Sequence, residues 1–136
     1  MSPNPKIGEV YMVEFEGTGS EQSGMRPAVV FQNNVGNAHS PNVICLPMTS
    51  KLKKAGQPTH VVVPKSIGLK TDSMVLCENP ECVSKSRLGN YITTIPQKYM
   101  SRIAEAHLLA TSAIAYLDVD AITSLIKRAT KLNATA

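Results

Sequence analysis

Gly19-Ser-Glu-Gln-Ser-Gly-Met-Arg-Pro-Ala-Val-Val-Phe-Gln32 contains both halves of the argument about this chain. Its first half, with Gly17-Thr18 before it, is a polar, glycine-rich loop too long for a tight hairpin. Its second half, Pro27 to Gln32, is a compact apolar run of the kind a buried strand shows. Pro27 stands at the start of that run, where a missing N–H does least harm. Arg26 falls at the junction, so the strand fixes its backbone and its guanidinium faces the loop mouth. The loop is no phosphate loop, because the Gly-Lys-Ser/Thr ending is missing and no helix follows.

Working outward, the first two-thirds reads as β. Gly8 to Phe15 alternates roughly, and Asn42 to Thr49, Thr59 to Pro64 and Asp72 to Glu78 are further strand-like runs. Asn33-Asn34, Gly36-Asn37, Gly56-Gln57-Pro58 and Gly68 punctuate them as turns. Five or six short strands with no helix between partners predict a small antiparallel barrel. The last third is helical. Pro96 suits a first helical position, and Met100, Ile103, Ala104, His107, Ala110, Ile114 and Leu117 follow at helical spacing. Asp118 and Asp120 suit the start of a further segment with Ile122, Leu125, Ile126 and Ala129 as its stripe. Two helices and one bent helix are both compatible with the pattern. The expectation is one domain over residues 1–136, with a helical extension at about 118–132.

Composition narrows the function. Lys plus Arg number 14 against 10 Asp plus Glu, a net charge of +4, which mildly favours a polyanion or an acidic peptide as partner. There is no Trp and aromatics make up 4%, which disfavours base stacking on an aromatic platform as a way to hold a nucleic acid. No apolar run is long enough for a signal peptide or a membrane span, so a cytoplasmic location is expected. Cys45, Cys77 and Cys82 match no zinc spacing and read as reduced thiols, the first two in the core. No metal and no cofactor is expected.

Gly19 to Asn34 resembles the signature GSEQGGxRPVVVIQND of the MazF-type, PemK-like toxins. Gly8-Glu-Val-Tyr11, Gly36-Asn-Ala-His-Ser-Pro-Asn-Val-Ile44, Met48-Thr49, Pro58-Thr-His-Val61, Asp72-Ser-Met-Val-Leu76 and Lys85-Ser-Arg-Leu88 follow in family order, so the match spans about residues 7 to 115. The resemblance implies an SH3-like, plasmid-toxin barrel with a C-terminal helix, mainly β, working as a homodimer. It implies a ribosome-independent, metal-independent endoribonuclease that cuts single-stranded mRNA at a short sequence. The products would be 2′,3′-cyclic phosphate and 5′-hydroxyl ends, and an acidic MazE-type antitoxin would neutralise the enzyme. The family's catalytic arginine and threonine fall on Arg26 and Thr49.

Chemistry constrains the roles. Attack by a 2′-hydroxyl needs a base, charge stabilisation at phosphorus and an acid for the leaving oxygen. A guanidinium is protonated up to about pH 12, which suits it as a donor and disqualifies it as a base. Arg26 is therefore read as the donor to the phosphoryl oxygens, with Thr49 adding a second hydrogen bond. Glu21, in the loop, and Glu78, at the end of the fifth strand, are the candidate bases. Ser20, Gln22, Asn33, Asn34, Ser50 and Lys51 are the candidate RNA contacts. By type and position alone, Asn33 and Asn34 read as turn formers and His60 and His107 as structural.

One stretch departs from the family: where QIRTID is usual, the chain has Asn79-Pro-Glu-Cys-Val-Ser84, with Glu81 at the arginine position. Two rival readings remain. A gyrase-poisoning toxin on the same fold would act through the C-terminal helix, and the Arg26–Thr49 pair argues against it. A peptide-binding SH3-like module would need an aromatic-lined groove, which the composition disfavours.

Overall fold

The computed structural model describes residues 4–17 and 23–134. In chain order the elements are β1 (Glu9–Glu16), β2 (Ser23–Val30), α1 (Asn34–His39), β3 (Asn42–Thr49), β4 (His60–Val63), β5 (Ser73–Leu76), β6 (Glu81–Ser84), β7 (Leu88–Thr94), α2 (Gln97–Ala110) and α3 (Val119–Ala134). The strands run β4-β5-β3-β2-β1-β7, with β6 also on β3, and every pairing is antiparallel. The result is an open, barrel-like sheet with helices at its C-terminal end, as the strand count and the absence of crossover helices imply.

β3 is the strand on which this order turns. Its residues Cys45–Pro47 pair with Ala28–Val30 of β2, its first half pairs with β6, and its last two residues pair with β5. The β2–β3 ladder stops at Ala28↔Pro47. Pro47 closes it and Pro27 comes next on β2. Neither has an N–H to donate, so neither can carry the ladder further. The two strands part there.

Both faces of the sheet are buried, which is why β2 and β3 read as apolar runs rather than clean alternations. One face, with Val10, Val29, Leu46, Met48, Val61, Val63 and Val75, packs on Ile103 and Ala106 of α2. The other, with Tyr11, Val13, Phe15, Ala28, Val30, Val43, Cys45, Val83 and Leu88, is built from strands alone. His107 sits on the packed side of α2, where its Nδ1–H donates to the Cys77 carbonyl at 3.0 Å and its ring meets Phe31 edge-on. Among the described residues no helix is long and apolar enough to cross a membrane.

Several elements differ from their sequence reading. The segment after Asn33, read as a turn, is the short helix α1. The Asn33 side chain caps it by accepting the Gly36 N–H at 2.9 Å. Asn34 Oδ1 accepts the Ile7 N–H at 2.8 Å and an Asn37 amide hydrogen at 3.1 Å. β6 adds a strand because Val83, the residue of this segment that lies in the core, is drawn in opposite Val43 of β3. Pro96 is the cap rather than the first turn of α2. That helix stops at Ala110, so Ile114 and Leu117 of the expected stripe lie outside it. Asp118 then starts a separate helix by accepting the Ala121 N–H at 2.8 Å. α3 is fastened by its far end, where Asn133 Oδ1 accepts the Asn34 N–H at 2.9 Å, while Val119, Leu125, Ile126 and Leu132 stay exposed.

The sheet is closed between β7 and the 3₁₀ turn Lys65–Ile67 by a side chain instead of a ladder: Thr93 donates its hydroxyl to the Ile67 carbonyl at 2.5 Å. Gly68 lies against that contact with φ 118°, and a Cβ there would stand 2.7 Å from Thr93 Oγ1. Gly68→Ala is expected to lower the unfolding free energy by roughly 1–3 kcal/mol, read from urea denaturation. Burial pushes the Cys45 and Cys77 thiols up to about 12, whereas Cys82 is exposed. Iodoacetamide at mildly alkaline pH should therefore label Cys82 alone in the native protein and all three thiols in denaturant, as counted by intact mass.

Candidate functional site

Two residues past the last β2–β3 pair, one on each strand, stand Arg26 and Thr49. The parting of the strands opens a groove of about 760 Å³ with both residues in its wall. β1 and β2 contribute Met12, Met25 and Pro27, β3 and the following turn contribute Met48, Ser50 and Lys51, the segment 68–73 contributes Leu69, Lys70 and Thr71, and β7 contributes Asn90, Tyr91 and Ile92. Arg26 and Thr49 are half-buried, and Lys51 and Lys70 are exposed. Among the described lining residues there are three cations and neither a carboxylate nor an imidazole.

The Thr49 hydroxyl is oriented by its own turn. Its oxygen accepts the Lys51 N–H at 3.1 Å, which leaves its proton to donate into the groove. A guanidinium, two ammonium groups and an oriented hydroxyl make a site for a multiply bonded anion. Tyr91 also lines the groove. Its hydroxyl is bonded to Thr94 Oγ1 at 2.7 Å, and its ring meets Tyr11 edge-on at 5.8 Å between centroids. Burial, then the Glu9 carboxylate, pushes the Tyr11 phenol up to about 12, so it stays neutral behind Tyr91.

The other candidates lie elsewhere. Glu78 does not line the groove. It bonds His60 Nε2 at 3.1 Å, while His60 Nδ1–H donates to the Lys54 carbonyl at 3.0 Å. This pair braces the basic turn after Thr49, where Lys54 takes a left-handed φ of 57°. Asn33 and Asn34 are engaged in capping α1 and in joining it to Ile7 and α3, away from the groove. Glu81 lies on β6 opposite Cys45, also off the groove, so the charge reversal there leaves its lining unchanged. Ser20, Glu21 and Gln22 lie outside the described residues. Lys70, Thr71 and Tyr91 are groove residues that the sequence reading missed. No strand periodicity marks 68–71, and Tyr91 reads as one more residue of an edge strand.

Residues 6–109 match the model of the family described as PemK-like, MazF-like toxin of type II toxin–antitoxin system. The chain belongs to that family. It is 37% identical over 111 residues to "Endoribonuclease EndoA" of Bacillus subtilis, covering 80% of this chain and 96% of the relative. It is 40% identical over 101 residues to "Endoribonuclease MazF" of Staphylococcus saprophyticus, covering 73% and 84%. Among solved structures, a mycobacterial endoribonuclease in complex with its cognate antitoxin superposes with a TM-score of 0.65 at 28% identity, covering 78% of this chain and 93% of that one. MazF of Deinococcus radiodurans superposes at 0.69 and 23% identity, over 83% and 97%, a likeness of fold. α3 lies wholly beyond the matched residues.

The His60–Glu78 contact makes a prediction independent of chemistry in the groove. Glu78→Ala leaves a nearly buried imidazole short of a partner and should cost about 1–2 kcal/mol in urea unfolding.

Proposed function

We propose that this protein is the toxin endoribonuclease of a type II toxin–antitoxin pair, cutting single-stranded RNA in the groove between Arg26 and Thr49. The observation that carries the reading is the placement of those two donors at the parted ends of β2 and β3, in a groove with cations and no carboxylate among its described lining residues. The names of the Bacillus and Staphylococcus relatives support the activity, and the mycobacterial complex supports a cognate antitoxin as partner. The antitoxin is acidic and of MazE type, the toxin works as a homodimer, and both act in the cytoplasm.

In the reaction the substrate's own 2′-oxygen bonds to the adjacent phosphorus as the bond to the 5′-oxygen breaks. The proton of the 2′-hydroxyl leaves to a base, and the departing 5′-oxygen takes up a proton. A 2′,3′-cyclic phosphate and a 5′-hydroxyl result. Arg26 and Thr49 hold the non-bridging oxygens, on which negative charge grows in the transition state. Arg26 also stands as the acid for the leaving oxygen, since its proton is always present. Lys51 and Ser50 hold flanking phosphate, and Ser20 and Gln22 add contacts from the β1–β2 connection. No described lining residue can take the first proton, so the base is assigned to Glu21 of the same connection. Cleavage needs no metal, and DNA is spared because it lacks the nucleophile.

The test is end-mapping of a long RNA incubated with the protein in EDTA. Discrete cuts ending in cyclic phosphate are expected. Arg26→Ala should reduce the rate about 10²–10³-fold and Glu21→Gln about 10²-fold or more, while Glu78→Gln retains cleavage. Equal cutting by wild type and Arg26→Ala rejects the proposal. So does inhibition of gyrase supercoiling without any RNA cleavage.

A further inference from the structure

The groove has two chemically different sets of lining residues. Arg26, Thr49, Ser50 and Lys51 are polar or cationic, and Met12, Met25, Ile92 and the ring of Tyr91 are largely apolar. A phosphate uses only the first set. The second has the composition of a nucleobase seat, in which a flat ring is held by stacking and sulfur contacts.

Tyr91 is placed and held for such a role. It is 52% exposed although it belongs to a strand, and Met25, which lines the same groove, is 56% exposed. The β1–β7 register slips on both sides of the Tyr11↔Tyr91 pair. Such irregularities turn a side chain out of the regular alternation, and they concentrate beside active sites. The hydroxyl bond to Thr94 and the edge contact with Tyr11 hold the ring before anything binds, so little side-chain entropy remains to be lost. Close to Tyr91 in the chain, a Cβ at Gly89 would lie 3.1 Å from the Met12 carbonyl oxygen and 3.6 Å from Met25 Cε. Scarcity of aromatic residues rules out a run of stacked bases, but one base needs one ring.

We infer that Tyr91 stacks on a base next to the scissile phosphate and so helps set where the RNA is cut. The inference rests on the groove being the cleavage site.

The absence of Trp provides a direct probe. Tyr91→Trp makes a protein with one indole, to be titrated with an oligonucleotide spanning a mapped cut and carrying a 2′-deoxy sugar at the scissile nucleotide. Saturable quenching that follows binding, measured separately by anisotropy of the labelled oligonucleotide, is expected. In kinetics, Tyr91→Ala should raise KM about tenfold with a smaller change in kcat. It should also relax the base preference beside the cut in the end-mapping pattern, while Tyr91→Phe, which keeps the ring and loses the bond to Thr94, keeps the wild-type preference with a rise in KM of about threefold or less. If saturating oligonucleotide leaves the indole emission unchanged, the inference falls. It falls equally if Tyr91→Ala cuts the same sites with the wild-type KM. Should Tyr91→Ala fail to fold, the Trp and Phe variants still decide. A wild-type protein that neither binds nor cuts RNA overturns the cleavage reading and this one together, whereas normal wild-type cutting with an indifferent Tyr91 overturns this one alone.

Discussion

The candidate site depends on where the β2–β3 ladder is made to end. Two imino residues, Pro27 and Pro47, face the same few ångströms of sheet, and hydrogen bonding between the strands cannot continue past them. β3 gives its remaining backbone to β5, and β2 continues alone against β1. The space between is the groove, and the first polar residues beyond the break, Arg26 and Thr49, become its wall. Upstream of the break, the same two strands run through both hydrophobic clusters. The candidate site thus stands on the best-packed part of the molecule, and its two donors inherit the rigidity of the strands behind them.

The groove's charge follows from its composition. Three cations with no carboxylate among the described lining residues give a field that favours an anion, and the attraction grows as negative charge accumulates on it. The described lining residues include no carboxylate and no imidazole. In the proposed reading, with Glu21 as base, charge stabilisation and proton removal are separated along the chain.

Much of this was legible in the sequence because it depends on local pattern. The buried run from Ala28 to Val30 is written in adjacent residues, but β2 begins four residues before Pro27, at Ser23, so Arg26 lies within the strand and not just before it. Thr49 is found by the end of its strand and by resemblance. What stayed hidden depends on pairing between distant segments. β6 carries no pattern of its own and exists because β3 has a free edge for it. Asn33 and Asn34 look like contact residues in the signature, yet their amides are engaged in holding α1 to Ile7 and α3. Glu78 looks like a free carboxylate at a strand end, and only the fold reveals His60 as its partner. Lys70, Thr71 and Tyr91 join the groove through closure of the sheet, which no local pattern records.

That closure has a mechanical side. Seven residue pairs join β1 to β2, whereas a hydroxyl-to-carbonyl bond, Thr93 to Ile67, joins β7 to the segment bearing Gly68. Ile67 and Leu69 on one side and Ile92 on the other add apolar packing against the core cluster they share. Along this seam the barrel is therefore closed by side chains and not by a strand ladder. Lys70 and Thr71 are carried on one side of it and Tyr91 and Ile92 on the other. The position of these groove residues relative to one another thus depends on side-chain packing, where Arg26 and Thr49 depend on backbone pairing.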